Sequence, residues 1–463
     1  MKKNKNFIKQ IILKKKYNGK ILNEKKVLEI KEEILKSNFF KKTRNLCLFE
    51  CYNEIDSVIL YLSIIFYDNV PLLINGNLSE TLFNNYINNY KPDYVFTKKN
   101  LILKNYKCIK KINGINVFYY NQKVKKLINK NLAILLPTSG STGSKKLVKI
   151  SYENLYENTK DICNFLKINK NHTTITTMPF SYTYGMSIIN THVYKSARIF
   201  VYSGSLIDKF FYKYLLKYKI SSFGGVPFMY EILKKLRMHN LKKTYLKYLT
   251  HAGGSMDKKT LMFFYKYCTE HKIKFISMYG ASEATSRMSY LPFKFMRSKL
   301  GSIGKGLNNS FSLIKNNKFI KRPNERGEIF YSGKNVFMGY SKNFKDLRYG
   351  NQKRYVLATG DLGYFDKDGF YYITGRKNRY VKIYGMRVNL DEIELSLKEK
   401  FKQCYVNSKN NKIVIYSKVP HQFEKISNFL FERFKINKNI FKFCKLKKIP
   451  LKSNNKIDYK KLN

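Results

Sequence analysis

Apolar residues follow two rhythms along this chain, and the rhythms alternate. Positions 55–73 carry helix-length apolar content, densest at 58–67 and interrupted by Ser63. Within the same stretch, Val70-Pro71-Leu72-Leu73-Ile74 is a short continuous apolar string of strand length. Helical spacing returns over 82–90, and Pro92-Asp93-Tyr94-Val95-Phe96 is again strand-like. A further apolar strand, Leu132-Ala133-Ile134-Leu135-Leu136, runs directly into a loop rich in Ser, Thr and Gly. Strands that alternate with helices predict an α/β fold with a doubly wound parallel sheet. After Gly375-Arg376 the texture changes. A short strand at Lys412–Ser417 and a helix at Phe423–Phe434 predict a small α+β domain that follows a hinge. The expected division is a large N-terminal domain, residues 1–376, and a small C-terminal domain, residues 377–463.

Composition narrows the class. A chain of 463 residues is too long for one ordinary core, and 44% hydrophobic with 16% aromatic content excludes disorder. The seven cysteines are scattered and odd in number; only Cys47 and Cys51 lie close together, and no histidine follows at ligand spacing. That argues against a zinc site or a disulfide framework and for a reducing, cytoplasmic location. Met1-Lys2-Lys3-Asn4-Lys5-Asn6-Phe7 is basic without a sustained apolar run after it, so no signal peptide is expected. The run at 58–67 is far short of the ~20 residues of a membrane helix, so no transmembrane segment is expected either. The formal charge of +58 raises the question of nucleic acid. A nucleic-acid-binding protein would need a clustered basic face with aromatic platforms. Here the lysines spread along the whole chain in clusters no longer than Lys14-Lys15-Lys16, among abundant Asn, Ile, Tyr and Phe. A solvated surface accounts for them better than a dedicated polyanion site, and no specific nucleic-acid partner is expected.

The chemistry begins in the loop after the 132–136 strand: Thr138-Ser139-Gly140-Ser141-Thr142-Gly143-Ser144-Lys145-Lys146. Glycines let the backbone turn so that several N–H groups point at one anion, hydroxyls add donors, and lysines add charge. A triphosphate suits such a loop. It is not a Walker A motif, because two residues, not four, separate Gly140 from Gly143, and Leu147 follows Lys146. A P-loop phosphotransferase is thereby excluded.

The string resembles the phosphate loop of the adenylate-forming superfamily, which includes acyl-CoA synthetases, luciferases and peptide-synthetase adenylation domains. That family's usual pattern is Thr-Ser-Gly-(Ser/Thr)-Thr-Gly-x-Pro-Lys-Gly-Val; Lys145 stands for the proline and Leu147 for the glycine, both outside the glycine turn. The resemblance implies that Thr138, Ser139, Gly140, Ser141, Thr142, Gly143 and Lys146 hold ATP phosphates, with Thr142 also a candidate Mg²⁺ ligand. Further motifs follow in family order. Met178-Pro179-Phe180-Ser181-Tyr182-Thr183-Tyr184-Gly185 is similar to the Pro-Leu-Phe-His-x-x-Gly segment and makes Tyr182 a candidate acyl-pocket wall. Phe223-Gly224-Gly225-Val226-Pro227 and His251-Ala252-Gly253-Gly254-Ser255 look like the strand ends framing acyl group and adenine, which brings in Phe223, Val226, Gly253 and Gly254. Tyr279-Gly280-Ala281-Ser282-Glu283 matches Tyr-Gly-x-Thr-Glu. There Tyr279, Gly280 and Ser282 would contact the nucleotide. Glu283 would hold Mg²⁺, since a carboxylate beside phosphates needs a cation between them. Thr359-Gly360-Asp361-Leu362-Gly363, a hairpin turn at 366–369, and Gly375-Arg376 resemble the ribose-binding and hinge segments. Asp361 would take both ribose hydroxyls, since a carboxylate offers a diol two acceptors, and Arg376 would contact the nucleotide.

The same resemblance makes the C-terminal domain mobile. Lys382 lies where the family exposes a lysine for thioester formation, and the hinge position falls on Asn378, where the family usually has Asp or Lys. Ile449-Pro450-Leu451-Lys452-Ser453-Asn454-Asn455-Lys456-Ile457-Asp458 resembles Pro-x-x-x-x-Gly-Lys-Ile-Asp, which puts Lys456 on the catalytic lysine. The implied reaction activates a carboxylic acid with ATP and Mg²⁺, releases pyrophosphate, and passes the acyl group to coenzyme A or a carrier-protein phosphopantetheine with release of AMP. Amino-acid-activating relatives usually place an Asp in the 180–185 region, where this chain has Ser181 and no carboxylate. A fatty, aryl or hydroxy acid is therefore favoured, with an amino-acid-activating enzyme as the alternative. A strongly basic ligase would also attract an acidic carrier protein.

Overall fold

Strand β1 (Leu46–Cys51) is buried at all six positions and β2 (Val70–Asn75) at its first five. Neither alternates, as expected of strands covered on both faces. The helix between them, Ile55–Phe66, buries an unbroken run from Ser57 to Ile65, so it is a core helix rather than an amphipathic one. The computed structural model describes residues 44–463 except 77, 123, 125, 138–145, 205, 207, 237–243, 384–385, 402, 411, 435, 452–456 and 463. The chain forms two compact units. The first takes in the chain to Gly253 with Cys268–Met288 and Ser332–Leu357; the second takes in Gly254–Tyr267, Ser289–Tyr331 and Ala358–Asn463.

In the first unit, β1 and β2 share a sheet with β3 (Tyr94–Thr97), β4 (Tyr106–Ile112), β5 (Ile115–Tyr120), β6 (Leu132–Pro137) and β7 (Leu147–Ser151). The order is β7-β6-β2-β1-β3-β5-β4, with the short strand Gly339–Ser341 outside β7. Its centre, β6-β2-β1-β3, is parallel, as the strand–helix alternation predicts. Its edges are antiparallel. Asn113-Gly114, both at positive φ, closes β4 onto β5 as a two-residue hairpin, and β6 returns as β7 after the Ser/Thr/Gly loop. Lys107, Lys110 and Lys111 on the edge strand β4 present charge where an apolar edge would invite pairing with another chain.

Five of the strands of a second sheet lie in the same unit, β8 (Thr173–Ile175), β9 (Arg198–Phe200), β10 (Ser222–Gly225), β11 (Tyr248–His251) and β12 (Lys274–Tyr279), all parallel, in the order β9-β8-β10-β11-β12. Local chemistry starts its helices. Ser151 and Asn154 form a capping box for Tyr152–Leu166, Asp208 caps Lys209–Lys217, and Pro227 opens Pro227–Lys235. Because β10, β11 and β12 are neighbours running the same way, their carboxyl ends lie side by side. Gly224-Gly225, His251-Ala252 and Tyr279-Gly280 therefore occur together, at the edge where open α/β sheets bind ligands.

The second unit is built on a five-stranded sheet with the order Lys318–Phe319, Phe311–Lys315, Gly327–Ser332, Val356–Phe365, Tyr371–Arg376. The last two strands are joined by the turn expected at 366–369, where Gly369 N–H bonds the Asp366 carbonyl at 2.9 Å. A ribbon of Tyr380–Ile383 and Met386–Asn389 leads into helix Leu390–Lys400 and a C-terminal domain with a three-stranded sheet, Cys404–Lys409, Lys412–Ser417 and Phe441–Lys445. That domain has its own core, centred on Ile393, Leu397, Val406, Ile415, Ile426 and Leu430. Among the described residues no helix is long and apolar enough to cross a membrane.

Candidate active site

Tyr279 ends β12, and Ser282–Ala284 makes one turn of 3₁₀ helix, so Gly280 and Glu283 sit on a sharp bend. Gly280 is required by crowding: a Cβ there would lie 1.6 Å from the Ser286 carbonyl oxygen. The bend is held by two asparagines distant in sequence. Asn335 Nδ2 donates to the carbonyls of Ala284 at 2.9 Å and Arg287 at 3.0 Å. Asn158 Nδ2 donates to the same Arg287 carbonyl at 2.8 Å, and its Oδ1 accepts the Arg287 N–H at 3.3 Å. Thr285, at positive φ, bonds the Asn335 carbonyl through its hydroxyl at 2.7 Å. With Asn158 and Asn335 each 2% exposed, water cannot replace these bonds.

The bend presents Glu283 to solvent beside the end of the phosphate loop. Tyr340 Oη donates to one Glu283 carboxylate oxygen at 2.8 Å, and burial together with this carboxylate pushes the Tyr340 hydroxyl above its ordinary pKa. Lys146 Nζ lies 5.8 Å from the centre of the same Tyr340 ring. Tyr340 thus gathers the last residue of the loop and the candidate metal ligand. Thr138, Ser139, Gly140, Ser141, Thr142 and Gly143 lie outside the described residues. A Mg²⁺ ion fits Glu283, whose second carboxylate oxygen accepts no hydrogen bond among the described residues. No group of three or more His, Cys, Asp or Glu among the described residues could cage a metal. The ion would therefore draw most of its ligands from phosphates and water, the usual habit of Mg²⁺. Gly253, at φ +86, and Gly254 are both exposed just beyond β11.

Behind the strand ends is a small cavity lined among others by Tyr184, His192, Phe223, Tyr248 and Arg287. Phe223 is where the sequence reading puts an acyl-pocket wall. Tyr182 and Val226 do not line this cavity; Tyr184 and Gly224 do. The reason is helix register. Tyr182 is the extended residue before helix Thr183–Tyr194, whereas Tyr184 lies on its buried face and donates to the Thr250 carbonyl at 2.9 Å. A Cβ on Gly224 would meet Tyr184 Oη at 2.6 Å, so this glycine leaves room for that contact.

In the second unit, Asp361 is 4% exposed and accepts a 2.8 Å hydrogen bond from Arg376 Nε. The two candidate nucleotide residues thus face each other across paired strands. Arg376 N–H in turn donates to Asp391 at 2.9 Å. Asp391 also pairs with Arg379 at 2.7 Å, and burial raises its carboxyl pKa. Glu394 is a hub: it takes Lys398 at 2.6 Å, Arg379 at 3.3 Å, the Val406 N–H at 3.0 Å and the Tyr459 hydroxyl. Burial works to raise the Glu394 carboxyl, but Lys398 and Arg379 outweigh it and hold it below its ordinary value. Lys382 is described only in backbone, in the strand Tyr380–Ile383, and Lys456 lies outside the described residues.

A Tyr-Gly-x-Ser-Glu bend at the strand ends of a parallel α/β sheet defines a class, and comparison with known proteins agrees. The model of the AMP-binding enzyme family matches residues 47–341, and the chain belongs to that family. It is 25% identical over 270 residues to the oxalate–CoA ligase of Saccharomyces cerevisiae, covering 58% of this chain and 49% of that protein. It is 29% identical over 272 residues to a 2-succinylbenzoate–CoA ligase of a Geobacillus species, covering 58% and 53%. The chain spans about half the length of the curated relatives it matches. Among solved structures, o-succinylbenzoate CoA synthetase of Bacillus subtilis in complex with its acyl-adenylate intermediate superposes with a TM-score of 0.78 over 99% of this chain and 97% of that one. At 19% identity this likeness shows the fold alone.

Sequence reading did not single out Asn158, Asn335, Tyr340, His192 or Arg287. Arg287 is four residues past Glu283, and among the described residues it and Lys149 are the buried members of a set of Lys and Arg that numbers 89 in the whole chain.

Proposed function

We propose that this protein is an AMP-forming acid–thiol ligase that joins a carboxylic acid to coenzyme A through an acyl-adenylate. The observation that carries the reading is the cluster of Lys146, Tyr340 and Glu283 beside the ends of β10, β11 and β12, in a chain of the AMP-binding enzyme family. In the first step the acid's carboxylate attacks the α-phosphate and pyrophosphate leaves. Two anions must be brought together, so the chain's own work is to gather and neutralise them. The 138–146 loop and Lys146 cradle the phosphates, Ser282 donates to the α-phosphate, and Asp361 takes the ribose hydroxyls while Arg376 contacts the nucleotide. Glu283, with Thr142, holds Mg²⁺, which supplies charge neutralisation when bound. Lys456 adds a donor where charge builds on the α-phosphate. In the second step the C-terminal domain, residues 377–463, turns on a hinge at 376–378 and brings Lys382 to the site for thiol attack. The related proteins named above are CoA ligases, which favours coenzyme A over a carrier protein. The 180–185 segment lacks a carboxylate for an α-ammonium, which favours acids without an amino group. We place the enzyme in the cytoplasm.

Exchange of labelled pyrophosphate into ATP, dependent on an added acid and on Mg²⁺, tests the reading. Simple carboxylic acids should support exchange better than amino acids. If no acid supports exchange in a folded, ATP-binding protein, the reading fails.

A further inference from the structure

Arg287 is 3% exposed and lines the cavity, yet it pairs with no carboxylate among the described residues. Its contacts are neutral. Nη1 donates to Ser286 Oγ at 2.7 Å, Nε reaches Met278 Sδ at 3.3 Å, and the guanidinium lies 4.1 Å from the centre of the Tyr184 ring. The nearest titratable groups do not answer the charge. His251 is pulled down to about 3, by burial first and then by Arg287 itself, and Tyr184 is raised by burial. Both are neutral at pH 7, so neither supplies an anion. A buried cation without a counter-ion is strongly unfavourable, and folds normally pair it.

One further polar group in the cavity wall is complementary. His192 is 3% exposed, and its Nδ1 lies 2.9 Å from the Ile188 carbonyl oxygen. A carbonyl can only accept, so Nδ1 carries the proton and Nε2 is left as a bare acceptor. That Nε2 is buried with no hydrogen-bond partner among the described residues. Burial holds the ring neutral, down to about 4. Among the described residues the cavity wall therefore offers one uncompensated positive charge and one unused acceptor.

We infer that Arg287 is a specificity residue that receives a second anionic group on the acid, so that the substrate class is the short dicarboxylic acids. The inference rests on the acid-activating reading above. One carboxylate would react, and the other would form a bidentate pair with the guanidinium fork. His192 Nε2 would accept from a hydroxyl or a protonated carboxyl on the same ligand.

Binding is read separately from catalysis, so that the two proposals can fail separately. Thermal shift and calorimetry with matched pairs, malonate against propionate and succinate against butyrate, are run on the full chain and on Arg287→Met, with ATP as a third ligand. The wild-type protein should bind a dicarboxylate about 10- to 100-fold tighter than its monocarboxylate match, and Arg287→Met should abolish that preference while leaving ATP binding unchanged. Dicarboxylate preference that survives in Arg287→Met overturns the inference, and so does equal binding of both acids by the wild type. Loss of ATP binding in the variant also overturns it, because Arg287 would then serve the nucleotide. If Arg287→Met does not fold, Arg287→Lys decides: the charge stays, the fork is lost, and the preference should shrink without disappearing. Selective dicarboxylate binding without pyrophosphate exchange would uphold this site and reject the ligase reading; exchange driven equally well by monocarboxylates would do the opposite.

Discussion

Asn158 and Asn335 make a prediction whose size can be worked out bond by bond. Asn335→Ala removes two donors, to the carbonyls of Ala284 and Arg287. Neither carbonyl is left bare, because the Ser286 N–H still reaches the Ala284 carbonyl and Asn158 still reaches that of Arg287. Two net hydrogen bonds at ~0.5–1.5 kcal/mol each give a loss of about 1–3 kcal/mol. Asn158→Ala removes one donor and strands the Arg287 N–H, a loss of similar size. Only the double variant leaves the Arg287 carbonyl with neither asparagine. The two losses should therefore not add: the double variant should be less stable than their sum by about 1–3 kcal/mol, the cost of one unsatisfied buried group. Urea unfolding of the four proteins measures the coupling. Additivity within about 0.5 kcal/mol, the scatter of independent sites, would refute the shared clamp. Because the clamped bend carries Ser282 and Glu283, both single variants should also need more Mg²⁺ to reach half-maximal pyrophosphate exchange.

Four further outcomes can be measured. Gly280→Ala should destabilise the fold by about 1–3 kcal/mol or more, since the added Cβ overlaps the Ser286 carbonyl; an unchanged urea midpoint would show that the bend yields. Asp361→Ala should weaken ATP binding by roughly 1.5–3 kcal/mol, and calorimetry showing unaltered affinity in a folded variant would remove Asp361 from the ribose site. Lys456→Ala should slow adenylate formation by about 10²–10³ and spare thioester formation from supplied acyl-adenylate, with Lys382→Ala doing the reverse; equal losses in both steps would count against domain rotation. Stability should depend on pH through the buried histidines. His192 and His251 are held down to about 4 and about 3 when folded, while the unfolded chain protonates each near 6.5. Their contribution is therefore complete above pH 6.5 and is lost as pH falls towards 4, at up to about 1.4 kcal/mol per pH unit for each histidine. His192→Gln should lessen that slope, and a urea midpoint that stays flat from pH 7 to 5 would contradict it.

Elements set by local pattern were readable from the chain. The helix Ile55–Phe66, strands β2, β3 and β6, and the C-terminal strand and helix all fall where apolar rhythm puts them. The antiparallel edges of the first sheet were missed because alternation reports burial, not direction, and the Asn113-Gly114 hairpin was overlooked. That Tyr184 rather than Tyr182 lines the cavity could not be read beforehand, because a shift of two positions across a helix start is invisible before the start is located. The clamp was out of reach for a different reason. Asn158 and Asn335 meet only through tertiary folding, and each is one of many asparagines. Arg287 was hidden by abundance, since a charge is informative only once it is known to be buried.

The grip around Glu394 has a consequence for timing. Arg379 stands three residues before Lys382, and Tyr459 three residues after Lys456; both side chains are tied to this one carboxylate. In the proposed cycle the two lysines serve different stages, yet their segments share an anchor. Neither could drift into place while the other is still engaged, so the stages would be kept from overlapping by tether rather than by affinity. The same economy leaves a single point of failure: neutralising Glu394 would loosen the early and late stages together, where loss of either lysine would stop only one.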